Sequence, residues 1–463
     1  MLQSTRRELL RTSALGFGWL ALADLLAGAE PAPAPRLAGP LAPKPPHFAA
    51  KAKRVIFLFM HGGPSQVDTF DFKPKLAADD GKPLPFPKPR VVSSATGNLL
   101  KSPFAFKQHG QSGAWVSELF PNVAKGVDDL CFIKSMHGSN SRHGGALLEL
   151  HTGSDTFVRP SMGSWVTYGL GTENRDLPGY VTICPTLTHG GVNNYSSAFL
   201  PSAYQATPLG NAGTAASQVT VPFVKGTTPP AQQRLELDLL AELDRERTTT
   251  SDAATEGRIQ SFEMAFRMQN AAPAVQDLSK ETTETHAMYG IDDKATENFG
   301  RQCLMARRFA EAGVRFVQCT HSYKWDQHEN LRKDHTNNAR EVDKPIAGLL
   351  TDLKRRGLLK DTLVIWGGEF GRTPVAQGKD GRDHNPHGFT MFLAGGGVKA
   401  GFSHGSTDDY GYFATADKVH IHDLQATILH LLGLDHTKLT YRHAGRDFRL
   451  TDVHGEVVRS VLA

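Results

Sequence analysis

The sequence predicts an α/β protein built on a doubly wound, mostly parallel sheet flanked by helices. Three observations carry that prediction. Continuous apolar runs end in glycine-rich turns, an amphipathic segment lies between two of those runs, and polar clusters stand at the ends of the runs.

The first run is Arg-Val-Ile-Phe-Leu-Phe-Met at 54–60, closed by Gly62-Gly63-Pro64. A run with no alternation is the pattern of a strand buried on both faces. Val314–Cys319, Thr362–Trp366 and Phe389–Ala394 read the same way, the last two ending at Gly367-Gly368 and Gly395-Gly396-Gly397. Between the second and third runs, Val342, Ile346, Leu349, Leu350 and Leu353 recur at helical spacing, predicting a helix within 337–357 that stops at Gly357. Strand, helix and strand make a βαβ unit. A second helix is predicted over 421–432, with Ile421, Leu424, Ile428 and Leu431 on one face and Gly433 after it.

The first 29 residues read as an export signal. Arg6-Arg7 precedes Leu9-Leu10, an apolar stretch runs from Ala14 to Ala23, and Ala27-Gly28-Ala29 offers a small-residue cleavage point. The paired arginines are of the twin-arginine type. Export by that route predicts a periplasmic or cell-envelope location. Residues 30–47, rich in Pro and Ala, read as a spacer, and 48–463 as one domain. Within it, 185–300 shifts to Gly, Asn, Ser and Thr and then to charged helical sequence; we expect a loop-and-helix insertion outside the central sheet. No later segment has 18 consecutive apolar residues, so no membrane span is expected once the signal is removed.

Composition is that of an ordinary globular protein, with 40% hydrophobic and 21% charged residues over 463 positions. A net charge of +4 at this length argues against a nucleic-acid partner. Cys131, Cys184, Cys303 and Cys319 show no CxxC spacing, which excludes a zinc ribbon or a thioredoxin motif and leaves buried thiols as the expected state.

In an open α/β sheet the ligand sits beyond the carboxyl ends of the strands. Four polar clusters fall there or fold back to that edge. They contain His61 and Asp68; His321, Asp326 and His328; Glu369 and Arg372; and Arg382, His384 and His387. Imidazoles and carboxylates converging from several strand ends suit a divalent metal, and a donor set without Cys suits Zn, Mn, Fe, Mg or Ca. The ligands expected are Asp326, His328, Glu369 and His384, with His387, His61 and Asp68 as further candidates. Asp326 and His328, two apart in an extended segment, point to the same side. A fifth segment, His137-Gly-Ser-Asn-Ser-Arg-His143, precedes a helix-compatible stretch, and a helix N-terminus favours anions. Ser141, Ser139 or His143 there, or a metal-activated water, would act at the reacting centre. Arg372 or Arg382 would clamp the anion's oxygens.

His-Gly-Gly-Pro-Ser-Gln-Val-Asp-Thr-Phe-Asp (61–71), Ala-Arg-Arg-Phe-Ala-Glu-Ala-Gly-Val-Arg-Phe-Val (306–317), Trp-Asp-Gln-His (325–328), Gly-Glu-Phe-Gly-Arg-Thr-Pro (368–374) and Gly-Arg-Asp-His (381–384) together resemble the exported bacterial family of unknown function designated DUF1501. The resemblance covers nearly the whole chain. It implies the alkaline phosphatase-like fold shared by sulfatases, phosphatases and cofactor-independent phosphoglycerate mutases. By order along the chain, Asp326 and His328 resemble that superfamily's middle Asp and His. Glu369 resembles the next Asp, and His384 or His387 the last His. His61 stands where the first Asp is expected, Phe370 replaces a His, and no Cys-x-Pro-x-Arg signature is present, which implies an altered metal site and excludes a formylglycine mechanism. The resemblance implies a metal-dependent hydrolase of a sulfate or phosphate ester, on a small molecule or a polysaccharide. The departures imply the alternative, a non-catalytic cell-envelope binding protein on the same fold.

Overall fold

The structure, a computed structural model, describes residues 39–87, 89, 96–221, 228–247 and 253–463. The export signal and the first part of the spacer lie outside the described residues.

Nine strands form one sheet. They are β1 (Arg54–Met60), β2 (Leu130–His137), β3 (Tyr180–Ile183), β4 (Thr207–Leu209), β5 (Phe316–His321), β6 (Thr362–Gly367), β7 (Phe389–Ala394), β8 (Phe402–His404) and β9 (Val419–His420). Their order is β8-β2-β7-β6-β1-β5-β3-β4, with β9 also on β2. Every pairing is parallel except those of β7, which runs antiparallel to both β6 and β2. The fold is thus mixed α/β with a mostly parallel central sheet, as the apolar runs predict.

The longer helices among the described residues are α1 (His143–Thr152), α2 (Met162–Leu170), α3 (Pro230–Arg247), α4 (Ala253–Gln276), α5 (Glu297–Glu311), α6 (Leu331–Arg355) and α7 (Ile421–Leu431). Strand β1 is buried from Val55 to Met60 because helices cover both of its faces. Phe57 and Phe59 meet the ring of His151 on α1. Leu58 points the other way and is in register with Cys319, whose thiol reaches the Gln302 carbonyl of α5. No cysteine pairs; all four are buried free thiols.

Three expectations need correcting. The crossover helix begins at Leu331 rather than 337, because its first turns bury the polar His335 and Asn338 on the face that Val342 continues. The insertion 185–300 is not wholly outside the sheet: Thr207–Leu209 adds an edge strand parallel to β3, and Leu209 is fully buried. Residues 39–47 of the expected spacer are docked on the domain, with Leu41 buried and backbone bonds from Lys44 to Leu170 and from His47 to Gly433. Among the described residues no helix is long and apolar enough to cross a membrane.

Candidate metal centre

The parallel strands deliver their C-terminal loops to one edge of the sheet. After β1 come His61 to Ser65, and after β2 the 138–142 loop and the start of α1. The loop carrying His189 follows β3, the loop carrying Asp326 and His328 follows β5, and Glu369 follows β6. Because β7 is antiparallel, the residues before it reach that same edge. They form the second arm of a hairpin, Gly371–Gln377 against Gly381–Asn385, in which Arg372 pairs with His384. The direction of β7 therefore delivers His384.

Three imidazoles converge on one carboxylate oxygen. Asp326 Oδ1 lies 2.9 Å from His328 Nε2, 3.1 Å from His384 Nε2 and 3.3 Å from His143 Nε2. His328 Nε2 and His384 Nε2 are 3.0 Å apart. The outer nitrogen of each ring is already committed. His384 donates Nδ1–H to the Ser141 carbonyl at 2.8 Å, and His143 donates Nδ1–H to Glu369 Oε1 at 2.7 Å. His328 Nδ1 meets the side-chain oxygen of Gln377. These acceptors fix the tautomers, so each neutral ring turns its Nε2 lone pair inward. Acceptors facing acceptors at 3 Å need a cation or a proton among them.

The donor set fits a metal ion. Asp326 Oδ1, His328 Nε2 and His384 Nε2 form a nearly equilateral triangle, and donors of a tetrahedral zinc-like ion stand roughly 3.3 Å apart. Outer hydrogen bonds to each Nδ1 are the usual companion of ligating histidines. Two overlapping sets of donors, His143, Asp326 and His384, and His328, Asp383 and His384, also lie within reach of a common ion. Arg372 and Tyr323 hold Asp326 in place: Nη2 of Arg372 is 2.5 Å from Oδ1, and the Tyr323 hydroxyl donates to Oδ2 at 2.9 Å.

Electrostatics follow the same geometry. Burial pushes the Asp326 carboxyl up, but the imidazoles of His143, His328 and His384, which donate to Oδ1 once protonated at Nε2, and the Arg372 charge outweigh it and hold it far below the usual carboxylate range. The Asp326 bond raises His328, and for His143 bonds to Asp326 and Glu369 outweigh a burial that lowers it. Burial lowers His384. It pushes His61 down to about 4, so that ring is neutral.

The structure gathers Asp326, His328, His384 and His143. Glu369 stands behind His143 instead of joining the triangle, and also accepts the Gly62 amide at 3.0 Å. His61 is next to His143 but faces His189, its Nε2 3.2 Å from His189 Nδ1. Ser141 meets the cluster through its carbonyl. Ser139 lies elsewhere, its hydroxyl 3.1 Å from His420 Nε2.

Four expected placements are corrected. Asp68 forms a bidentate ion pair with Arg382, 2.7 and 3.1 Å, at two fully buried side chains, so neither is at the centre. Arg382 cannot clamp a substrate while it neutralises Asp68. Arg372 is equally buried, and its donors serve the carbonyls of Gly62, Gly63, Trp325 and Arg382 as well as Asp326. His387 turns away and packs beside Tyr412 and Phe413, because Asn385 and Gly388 bend the chain around the 411–412 carbonyls. Sequence reasoning did not single out His189, Asp383 or Tyr323. The short run Tyr180-Val-Thr-Ile183 before His189 was the available signal, since it marks a strand whose end would carry ligands.

Residues 52–462 match the family described as Protein of unknown function (DUF1501). The chain belongs to the DUF1501 family. None of the curated proteins matches this DUF1501 chain in sequence. Among solved structures it is similar to a protein in the alkaline phosphatase superfamily from Vibrio parahaemolyticus, with 12% identity, 94% of this chain and 76% of that one covered, and a TM-score of 0.35. It is also similar to the PsFucS1 sulfatase from Pseudoalteromonas sp., at 13% identity, 83% and 68% coverage and a TM-score of 0.34. The alkaline phosphatase from the Antarctic bacterium TAB5 gives 10% identity, 82% and 98% coverage and a TM-score of 0.34. At such scores the likeness assigns no residue of the DUF1501 chain to a role.

Proposed function

We propose that this DUF1501 protein is an exported, metal-dependent hydrolase of an anionic ester, a sulfate or a phosphate. The observation that carries the reading is the convergence of three Nε2 lone pairs on Asp326 Oδ1, each ring fixed from behind by an acceptor. Asp326, His328 and His384 would hold the ion. Bound there, a divalent ion supplies Lewis-acid polarisation of the ester oxygen and activates water. His143 starts α1, so an anionic group beside it meets the amide-rich end of that helix. His143, paired to Glu369, can take a proton at Nε2 and keep its orientation, as a base positioned by a carboxylate does. Ser141 gives the cluster its carbonyl and not its hydroxyl, which favours water over serine as the attacking group.

The test is hydrolysis of p-nitrophenyl sulfate and p-nitrophenyl phosphate by the full chain, before and after chelation and on return of Zn²⁺ or Mn²⁺. Metal-dependent turnover that His143→Ala abolishes and Ser141→Ala leaves within about threefold supports the reading. A chain that binds metal tightly and turns over neither ester nor any sulfated or phosphorylated glycan fits the second reading, a binding protein. The consumption of both Arg372 and Arg382 by buried partners favours that alternative, since neither is free to hold an anion.

A further inference from the structure

The edge that carries the proposed centre holds a second group of donors that uses none of its triangle. His61 ends β1, His143 begins α1, and His189 sits on the loop Thr186–Gly191 that follows β3. One ring nitrogen of each lies within 4.8 Å of the others. No carboxylate belongs to this group. His61 is fully buried, and its Nδ1 has no partner while its Nε2 faces His189 Nδ1 at 3.2 Å. His143, with Nδ1–H given to Glu369, has only Nε2 to offer. The His189 ring stacks on His143 at 4.8 Å and meets His61 edge-on at 5.4 Å.

The loop's own hydrogen bonds close a short turn, Gly191 N–H to the Thr188 carbonyl, and leave its apolar side chains outside. Leu187 is 66% exposed and Val192 54% exposed, so the apolar residues on either side of His189 face solvent. His189 itself has φ of +51°, a left-handed conformation that residues with a β-carbon adopt at a cost. The His189 carbonyl accepts from Asn194 Nδ2 at 3.1 Å, and the His189 imidazole turns inward among His61, His143 and the Tyr323 ring.

We propose that His61, His143 and His189 form a second cation subsite, made of imidazole alone, and that a metal bound there pins the Thr186–Gly191 loop over the centre. The inference rests on the proposed hydrolytic site and meets it at His143, whose Nε2 is 3.3 Å from Asp326 Oδ1; an ion in the second subsite takes the lone pair that the proposed base uses, so filling that subsite shuts the base off. Imidazole donors select Zn²⁺, Co²⁺, Ni²⁺ or Cu²⁺; Mg²⁺ and Ca²⁺ require oxygen ligands that this group lacks. The subsite thus carries a different selectivity from the triangle that contains Asp326.

The test uses the full chain, stripped by a chelator and dialysed against Zn²⁺ alone, with zinc counted by elemental analysis. Two zinc ions per wild-type chain and one in His189→Ala and His189→Gln are expected. Zinc is also expected to slow protease cleavage within 186–191 at least tenfold in wild type and not in either variant. Circular dichroism of the variants, with His189 half-exposed on a loop, checks that the fold is kept. One zinc in wild type and variants alike overturns the second subsite and leaves the hydrolytic reading standing. Two zinc ions in the variants overturn it as well, because His189 would not be a ligand. No zinc in any of them overturns both readings.

Discussion

The backbone amide of Gly62 donates to the Glu369 carboxylate at 3.0 Å, tying the end of β1 to the end of β6 directly beneath His143. Gly62 has φ of +118°, and a β-carbon there would stand 2.7 Å from the Asp326 amide nitrogen and 2.8 Å from that of Trp325. The glycine lets the loop carrying Asp326 close over the strand end. Gly62→Ala is expected to lower stability by several kcal/mol, because a backbone clash adds to the roughly 1–2 kcal/mol cost of the left-handed conformation. Gly81→Ala is the control: φ is +77° there but nothing lies within 4 Å, so only the conformational part should appear in denaturant unfolding. Equal losses at the two positions would refute the close approach.

Glu369 tests the support behind the ligands. Burial pushes its carboxyl up, but the His143 hydrogen bond and neighbouring imidazoles outweigh that and hold it below the ordinary value of 4.5. A carboxyl depressed in the folded state contributes stability above its unfolded pKa and loses it as pH falls through the folded one. Wild type should therefore lose stability progressively below about pH 4.5, with a shallower loss in Glu369→Gln, read from urea midpoints across pH 3–6. Zinc affinity at the second subsite, where His143 is a ligand, should fall about 10–100-fold in the same variant, the usual effect of removing an outer partner of a ligating histidine, while the ion held by Asp326, His328 and His384 is retained.

The Asp68–Arg382 pair is an ion pair outside the centre with both side chains fully buried. Removing one partner leaves a charge buried without compensation, at a cost of about 3–5 kcal/mol. Asp68→Ala and Arg382→Met should each lower the unfolding midpoint strongly. The double variant should recover part of the loss. A double loss equal to the sum of the two single losses would show that the pair is not coupled.

Buried neutral histidines predict acid lability at a higher pH. Burial pushes His151 down to about 4 and His335 down to about 3, from an ordinary 6.5. The unfolded chain takes up these protons first, so stability is complete above pH 6.5 and falls as pH drops from there toward 4 and 3. His335→Gln should flatten that slope while lowering stability at neutral pH, because Ser65 loses the ring nitrogen that accepts its amide at 3.2 Å. A slope unchanged by the substitution would assign the acid loss to other groups.

Export is tested at the N-terminus. Replacing Arg6 and Arg7 with Lys should leave the precursor in the cytoplasm, as shown by fractionation and by the size of the uncleaved chain. Normal periplasmic levels of the double-Lys protein would refute the twin-arginine route.

By itself, the sequence determined the strands whose apolar runs are unbroken, because a strand buried on both faces needs apolar residues on both. β1 and β7 are found at the predicted residues, and the turns after β1, β5 and β6 carry the polar groups expected there. It also determined which residue types could bind a metal, since Asp326, His328 and His384 stand in compact polar motifs. Where polarity is mixed into a buried face, the pattern failed: the first turns of α6 hide His335 and Asn338 beside Leu331 and Ala339, which breaks the apolar period there. The three-residue strand at Thr207–Leu209 is too short to show a period. Tertiary structure alone decided which polar groups meet. Antiparallel β7 brings His384 to the edge while the same stretch turns His387 away, and the pairing of Asp68 with Arg382 removes both from the centre. His189 joins from a strand end whose neighbour in space, β5, is over a hundred residues away in sequence. A ligand set is a property of convergence in space, and local sequence fixes which side chains are present without fixing which of them a buried charge will claim.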